Sequence, residues 1–284
     1  MPDPTPLSSE AVAAALNGQN ATLLGQGTFG ETWRVELVEV DGEPQTVAAK
    51  FLKPAHYNVT LAQRETAWLS RMSTHGVVRL FSVVEVDING VQYTVLLCEY
   101  IHGGSVEDAI TRAYPSHSEI MDFAAGLLEC VEHVHSVNAV HRDIKPANIM
   151  LRDGDWSQPV LIDFGLAKGT GDATITQYPQ PVGTIAWMAP EQLRGQEARK
   201  AADIWACGVI LYQLFTAGAY PFFNPAELQG VGREEIAELV EGPPVPLPDE
   251  VSPEMRLLIA KFLSQQGWRR GSASRAAKDL KDLR

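Results

Sequence analysis

Alternating apolar and polar residues dominate the first third of the chain. The runs with the period of two typical of strands are ATLLGQG, TWRVELVEV, TVAAKFL, VVRLFSVVEV and VQYTVLLCEY. Asp41-Gly42 and Asn89-Gly90 lie between neighbouring runs and are strong signals for tight β-hairpins. One helix is predicted over residues 61–73, where apolar residues recur at helical spacing. The pattern predicts an antiparallel sheet interrupted by one helix.

After Gly103-Gly104 the spacing becomes that of helices. Ser116 and Glu119 form a predicted capping box, and an apolar stripe follows over residues 116–137. Further helical patterns cover about residues 200–217, 225–241, 252–265 and 272–283. The prediction is therefore an α+β protein in which a small strand-rich part precedes a larger helical part.

Three regions are predicted: an N-terminal extension over residues 1–20, a strand-rich domain over 21–101 and a helical domain over 102–284. Within the extension, Ser9-Glu10 begin a short predicted helix that ends at Asn17-Gly18. A ligand site is expected where the two domains join, because ligand sites favour domain interfaces.

The composition is that of a globular protein, since 45% of the 284 residues are hydrophobic and 20% are charged. The formal net charge of -12 argues against a broad surface for a phosphate backbone, so no nucleic acid partner is expected. Phosphate chemistry, if present, is expected to be local.

Three sequence features indicate a cytoplasmic protein without a membrane segment. Cys98, Cys130 and Cys207 are widely separated and fit neither a disulfide framework nor a metal site. The N-terminus lacks the basic start and the apolar core of a signal peptide. The most apolar run, residues 204–218, contains Gln213 and is shorter than the roughly 18 residues of a membrane span, so it is predicted to be a buried helix.

Gly25, Gly27 and Gly30 lie between two predicted strands. Glycines at this spacing also occur in ordinary hairpins, and the glycines alone leave that alternative open. A dinucleotide site is not favoured, because its glycines open a helix, whereas the sequence after Gly30 continues as a strand. A glycine-rich hairpin can instead place main-chain N–H groups over phosphates.

Lys50 follows the apolar residues 47–49 in a predicted strand. A solvated lysine at the end of a strand is the simpler interpretation. Burial of an unpaired cation is unfavourable, however, and Glu65 on the next predicted helix is a suitable partner. Such a pair would hold the Lys50 ammonium beneath the glycine hairpin, within reach of phosphate oxygens.

The segment HRDIKPAN, residues 141–148, places four polar groups of different chemistry directly before an apolar strand. A simple turn needs only one or two such groups. Asp163 follows the next apolar strand, and an aspartate there often only caps a turn. Together, Asn148 and Asp163 supply hard oxygen ligands of the kind that Mg²⁺ prefers. Lys145 is then expected to face a transferred phosphate, and Asp143 to accept a proton from the incoming nucleophile.

In this order, over about residues 21–284, the motifs resemble those of eukaryotic-type serine/threonine protein kinases. The matching segments are GQGTFGET, VAAK, Glu65, HRDIKPAN, Asp163-Phe164-Gly165 and Ala189-Pro190-Glu191. The resemblance implies a bilobal fold, with a small antiparallel-sheet N-lobe that carries the C helix and a larger, mainly helical C-lobe. It also implies ATP and Mg²⁺ as cofactors.

The resemblance assigns a role to each matched residue. The implied nucleotide-binding residues are Leu24, Gly25, Gln26, Gly27, Thr28, Phe29, Gly30, Thr32, Ala48, Lys50, Glu65, Glu99, Ile101 and Met150. Asn148 and Asp163 are the implied metal ligands, and Asp143, Lys145, Lys50 and Thr184 the implied catalytic residues.

Further matched residues have implied supporting roles. Lys145 and Thr184 resemble the serine/threonine rather than the tyrosine type of kinase, and Thr184 is expected to hydrogen-bond both Asp143 and Lys145. Asp203 is expected to brace the catalytic loop. Arg270 is expected to pair with Glu191.

The implied reaction transfers the ATP γ-phosphate to serine or threonine hydroxyls of a protein substrate. A nucleotide-binding scaffold with the same fold would lack Lys50, Asp143, Asn148 or Asp163, all of which are present. A small-molecule phosphotransferase of similar fold generally lacks the Gly-Thr and Ala-Pro-Glu segments that this chain has.

Regulation by phosphorylation is also expected. Arg142 resembles the arginine that receives a phosphate on the activation segment; the simpler interpretation, that it only supports the loop, stays open. Thr174 or Thr176 is the predicted site of autophosphorylation. Self-association is the expected route for phosphorylation between molecules.

Overall fold

The computed structural model describes residues 6–27, 30–52, 66, 72, 76–164, 168–169, 185–224 and 231–283. The chain divides into an N-terminal unit, Met1–Thr74 with Val78–Ile101, and a C-terminal unit, His75–Val77 with His102–Arg284. The first contains a five-stranded antiparallel sheet and the second is mainly helical. The predicted α+β class is confirmed.

The sheet of the N-terminal unit has the strand order β1-β2-β3-β5-β4. Its strands are β1 (Gln19–Gln26), β2 (Gly30–Val40), β3 (Glu43–Leu52), β4 (Leu80–Ile88) and β5 (Val91–Glu99). All neighbouring strands are antiparallel, so each predicted hairpin joins two strands that are adjacent in the sheet.

Both predicted hairpin turns are confirmed. Asp41 and Gly42 have φ of 52° and 84°, and Asn89 and Gly90 have φ of 57° and 80°. Left-handed backbone at both central positions is the requirement of a type I′ turn, which Asn-Gly and Asp-Gly satisfy. The helix predicted over residues 61–73 falls almost entirely outside the described residues.

The N-terminal extension forms helix α1 (Ser9–Ala15), which packs against β1, β2 and β4. The hydroxyl of Ser8 caps its first turn by accepting from the N–H of Ala11. Val12 and Leu16 are buried in the same cluster as Val35 and other strand residues. The predicted short helix is therefore present, and its apolar face completes the core of the sheet.

The C-terminal unit contains eight described α-helices. They are α2 (Val106–Arg112), α3 (His117–Ser136), α4 (Pro190–Leu193), α5 (Lys200–Phe215), α6 (Arg233–Leu239), α7 (Pro253–Phe262), α8 (Gly267–Arg270) and α9 (Ala273–Lys281). Helix α3 packs against α5 and α9, and α5 also packs against α7. The capping box predicted at Ser116 is present at the start of α3.

The helices of the structure differ from the predicted helices in two ways. Helix α6 begins at Arg233, whereas the sequence pattern placed a helix over 225–241; residues 231–232 are not helical, and 225–230 lie outside the described residues. Helices α2, α4 and α8 were not predicted, because they have only 7, 4 and 4 residues, too few for a clear period. In α2, Ser105 and Asp108 nevertheless form a capping box.

The most apolar run of the chain lies in α5, which is buried along most of its length, as predicted. No helix in the described ranges is both long and apolar enough to cross a bilayer. Short strands complete the unit: β6 (Ala139–Val140) pairs with β9 (Lys168–Gly169), and β7 (Ile149–Leu151) pairs with β8 (Pro159–Leu161).

Val12→Ala is expected to lower the free energy of unfolding of the N-terminal unit by about 2 kcal/mol, because two buried methyl groups are lost and a cavity remains. The measurement is urea-induced unfolding of the parent and the variant. Glu10→Gln, an exposed change on the same helix, is the control and should alter stability by less than about 0.5 kcal/mol. Equal stability of Val12→Ala and the parent would show that α1 adds nothing to the core.

Candidate active site

The loop over residues 141–148 joins β6 to β7, so strand pairing in the C-terminal unit fixes both of its ends. Pro146–Asn148 form a 3-10 turn, in which the N–H of Asn148 donates to the carbonyl of Lys145 at 2.9 Å. Proline at the start of this turn has its φ fixed near the value that the turn requires. The sequence therefore sets the local conformation that brings Asn148 back toward Asp143.

Asp143 is the centre of this loop. Its Oδ2 accepts hydrogen bonds from the Nζ of Lys145 at 3.0 Å and from the Nδ2 of Asn148 at 2.8 Å. The same Nδ2 donates to the main-chain carbonyl of Asp143 at 2.9 Å. Three of the residues predicted to carry the chemistry are thus in direct contact.

The pKa of Asp143 is raised above its ordinary value. Burial is the main cause, since it disfavours the charged carboxylate. The ammonium of Lys145 acts in the opposite direction, and the negative charge of Asp163 raises the pKa further. Asp143 is therefore a stronger base than an exposed aspartate, while Lys145 limits the shift.

The hairpin of β7 and β8 brings Asn148 and Asp163 to the same end of two paired strands. Ile149 pairs with Leu161, and the N–H of Ile162 donates to the carbonyl of Asn148 at 3.0 Å. Asn148 directly precedes the paired residues, and Asp163 follows them two positions later. The pairing thus places two residues that are 15 positions apart in sequence at the same end of the hairpin.

These two side chains fit a Mg²⁺ ion. The Nδ2 of Asn148 donates to Asp143, which directs the amide oxygen to the other side of the group. Among the described residues no cluster of three or more His, Cys, Asp or Glu has metal-binding geometry. An amide oxygen and one carboxylate are nevertheless a suitable set, because Mg²⁺ commonly takes its remaining ligands from water and substrate phosphates.

His141 connects the loop to the end of β8. Its Nε2 donates to the carbonyl of Ile162 at 3.0 Å, and its Nδ1 accepts from the N–H of Asp143 at 3.4 Å. The imidazole packs edge-on against the ring of Phe164, with centroids 4.6 Å apart, and both side chains are completely buried. The residues on either side of Asp163 are therefore held by the same ring that contacts Asp143.

Asp203 of α5 braces the loop, as predicted. Its Oδ2 accepts from the N–H of His141 at 2.9 Å, and its Oδ1 accepts from the N–H of Arg142 at 2.8 Å. Burial alone would raise the pKa of Asp203. The hydrogen bond from His135, the electrostatic effects of His135 and His141, and the hydrogen bond from the N–H of Arg142 together outweigh burial and hold this pKa below its ordinary value. The carboxylate is thus ionised and able to accept a hydrogen bond from each donor.

The predicted pair of Arg270 and Glu191 is also confirmed. Two parallel hydrogen bonds of 2.7 and 2.9 Å join the guanidinium to the carboxylate. Arg270 is fully buried, and its guanidinium also lies over the ring of Trp205, 4.9 Å from the centroid. This bidentate pair fixes α4 to α8 and the buried helix α5.

Nucleotide-binding residues predicted in the N-terminal unit lie side by side across three strands. Gly25 of β1 pairs with Thr32 of β2, and Thr32 pairs with Lys50 of β3. Lys50 and Ala48 are half-buried and alternate with fully buried residues of β3. Gly30 admits no side chain, because a Cβ there would lie 2.0 Å from the carbonyl oxygen of Phe51.

The remaining predicted residues are placed as follows. Leu24 is 47% exposed in β1, and the N–H of Gly27 donates to the carbonyl of Gly30 at 2.8 Å. Glu99 ends β5, Ile101 is buried, and Met150 is half-buried in β7. The predicted residues outside the described ranges are Thr28, Phe29, Glu65, Gly165, Thr174, Thr176 and Thr184.

His135 was missed at the level of sequence. Its Nε2 donates to the Oδ2 of Asp203 at 2.8 Å, so it completes the set of donors that hold this carboxylate. Its signal was a histidine one position after Val134, at the buried edge of the apolar stripe of α3. A polar residue at the border of an apolar helix face can have many roles. Only the contact with Asp203, which is distant in sequence, shows that His135 supports the loop.

Comparison with known proteins agrees with this geometry. The family described as protein kinase domain matches residues 19–280. A probable serine/threonine-protein kinase of Streptomyces coelicolor is 27% identical over 249 residues, which cover 85% of this chain and 36% of that protein. Serine/threonine-protein kinase pkn3 of Myxococcus xanthus is 29% identical over 269 residues, which cover 90% of this chain and 48% of pkn3.

A third relative is serine/threonine-protein kinase PrkC of Bacillus subtilis, which is 30% identical over 205 residues covering 70% of this chain and 30% of PrkC. The chain therefore spans less than half the length of each of these three relatives. Because the family match covers all but short segments at the two ends, and the matched catalytic-loop residues are in direct contact, the chain belongs to the protein kinase family.

Proposed function

We propose that this chain transfers the γ-phosphoryl group of ATP to serine or threonine hydroxyls of proteins. The proposal is carried by the surroundings of Asp143, whose Oδ2 accepts from both Lys145 and Asn148. This arrangement puts a base, a cation and an amide at one place, as phosphoryl transfer to a hydroxyl requires. The similarity to serine/threonine-protein kinases supports the choice of acceptor.

In the proposed reaction, Asp143 orients the acceptor hydroxyl and receives its proton as the new P–O bond forms. The bond between the γ-phosphorus and the bridging oxygen breaks, and that oxygen leaves with ADP. The ammonium of Lys145, 3.0 Å from the Asp143 carboxylate, faces the transferred group and balances its negative charge. Since the transition state is loose, positioning and electrostatic stabilisation supply most of the rate acceleration.

The kinase family generally uses ATP with Mg²⁺, and we assign the metal to Asn148 and Asp163. When bound, Mg²⁺ neutralises charge on the phosphate oxygens. Lys50 is assigned to the α- and β-phosphates, with Glu65 as its partner. The glycine-rich hairpin, Thr32, Ala48 and Met150 are assigned to the rest of the nucleotide, together with the main chain of Glu99 and Ile101.

The natural substrates are proposed to be proteins, and a cytoplasmic location is proposed from the sequence features described above. Autophosphorylation of Thr174 or Thr176, with self-association for transfer between molecules, is part of the same proposal. No nucleic acid partner is proposed, because the net charge is -12.

Asp143→Asn is expected to lower kcat by about 10²–10⁴-fold, because the amide cannot accept the proton and orients the hydroxyl poorly. The affinity for ATP should change little, since Asp143 is assigned to the acceptor. The assay uses labelled ATP and a generic basic protein, followed by identification of the phosphorylated residues. ATP affinity is measured separately by calorimetry.

The matched control is Asp153→Asn, the same change at an exposed aspartate of the same unit. It should transfer phosphate at the rate of the parent. Binding of ATP without any transfer by the parent would favour a scaffold, and transfer only to small molecules would favour a different phosphotransferase. Either result, or full activity of Asp143→Asn, contradicts the proposal.

Lys145→Met is expected to shift the acid limb of kcat/KM to higher pH. Asp143 must be ionised to accept a proton. Burial raises the pKa of Asp143, and the positive charge of Lys145 lowers it. Without that charge the pKa of Asp143 rises further, so activity is lost at a higher pH. The rate near neutral pH should also fall by at least about 10-fold.

The pH profile of kcat/KM is measured for the parent, for Lys145→Met and for Lys278→Met. Lys278 is an exposed lysine of α9, so its variant should keep the acid limb of the parent. An acid limb at the same pH in Lys145→Met and the parent would mean that Asp143 is not the group whose ionisation limits the rate.

A further inference from the structure

Arg142, the residue before Asp143, has an unusual backbone conformation. Its φ is 74°, in the left-handed region that residues other than glycine seldom adopt. Such a conformation persists only where the surroundings hold it. Two contacts do so: the N–H of Arg142 donates to the Oδ1 of Asp203 at 2.8 Å, and its guanidinium donates to the carbonyl of Ala198 at 3.0 Å.

A third contact reaches the same residue from helix α4. The side-chain Nε2 of Gln192 donates to the main-chain carbonyl of Arg142 at 3.0 Å. The Oε1 of the same amide accepts from the N–H of Ala189 at 3.1 Å. The side-chain amide is planar, so fixing its Oε1 also fixes the direction of its Nε2. The N–H of Ala189, at the start of α4, therefore helps to aim the Nε2 donor at Arg142.

The main chain of Gln192 is fixed as well. Its carbonyl accepts a hydrogen bond from the guanidinium of Arg233, which lies in α6. Two residues later, Arg194 forms an ion pair at 2.5 Å with Glu241, which follows the end of α6. Gln192 is therefore held on both sides and is partly buried, unlike a solvated glutamine that changes rotamer readily.

The carbonyl that Gln192 holds belongs to the peptide group between Arg142 and Asp143. A peptide group is planar, so the direction of this carbonyl also fixes the N–H and the Cα of Asp143. That N–H lies 3.4 Å from the Nδ1 of His141, a longer contact than the one that Gln192 makes. Rotation of this peptide would move the carboxylate relative to Lys145 and Asn148.

We propose that Gln192 is a positioning residue for Asp143, acting through the carbonyl of Arg142; this inference rests on the proposed function. Residues 189–191 match the end of the activation segment in the family. Gln192 therefore connects this segment to Asp143, the base that acts on the substrate hydroxyl. A shift of α4 is transmitted to Asp143 through one side-chain amide. Gln192 itself touches neither ATP nor the acceptor.

Two substitutions test this role. Gln192→Glu keeps the oxygen that accepts from Ala189 but replaces the donor to Arg142 with a second oxygen, so the carbonyl is repelled. Gln192→Met keeps the length of the side chain and removes both hydrogen bonds. Each should lower kcat by about 10-fold through displacement of Asp143, with the KM for ATP and for the acceptor protein within about twofold of the parent.

The controls are Gln196→Glu and Gln196→Met, which make the same changes at an exposed glutamine four residues later. They should retain the kcat of the parent. Thermal unfolding of every variant gives the folded fraction, and kcat is expressed per folded molecule. Transfer by the parent, with kcat lowered only in the two Gln192 variants, supports the inference.

Parental kcat per folded molecule in both Gln192 variants overturns the inference, because Gln192 then contributes only to folding. A raised KM with unchanged kcat overturns it as well, since that pattern reports binding. Failure of the parent to phosphorylate any protein instead overturns the proposed function, and the inference with it.

Discussion

The carboxylate of Asp203 binds the main chain of the catalytic loop at residues that belong to neither a helix nor a strand. The N–H groups of His141 and Arg142 donate to it, and the imidazole of His135 donates as well. A buried ionised carboxylate is unfavourable without such donors, so the carboxylate of Asp203 and the N–H groups of the loop stabilise each other. Because Asp203 belongs to α5, which is buried along most of its length, the loop is fixed relative to the core of the C-terminal unit.

Left-handed backbone occurs at two residues of the proposed active site. Arg142 precedes Asp143 and has φ of 74°, and Asp163 has φ of 63°. Neither is glycine, so the local conformations are less favourable than those available elsewhere, and surrounding contacts must stabilise them. Asp143 itself combines burial with a neighbouring cation, which sets its basicity by two opposed effects. The contacts that stabilise these conformations therefore also preserve the surroundings that set the basicity of Asp143.

Local signals in the sequence were sufficient for much of the fold. Asp41-Gly42 and Asn89-Gly90 specified hairpins because few other residues tolerate both turn positions, and the stripe after Ser116 specified α3. The residues of the catalytic loop were recognisable because they follow one another within a short segment. Contacts between distant residues were not predictable in this way.

His135 and Asp203 are 68 positions apart, and Gln192 and Arg142 are 50 positions apart. The residues that neighbour His135 and Gln192 in the sequence do not distinguish either one from an ordinary helical residue. Their importance comes from the partner that the fold brings to them. The pairs of Asp203 with the loop and of Arg270 with Glu191 were predictable only because the family resemblance supplied both members of each pair.

Helix α1 shows that the start of the family match and the start of the folded core are different positions in this chain. The family match begins at residue 19, yet Val12 and Leu16 are buried among the strand residues that follow. A fragment trimmed to the matched region would leave the apolar side of the sheet that contacts α1 open to water, and such a surface promotes association between molecules. Fusion joints and fragment ends therefore belong before Ser8, the residue that caps this helix.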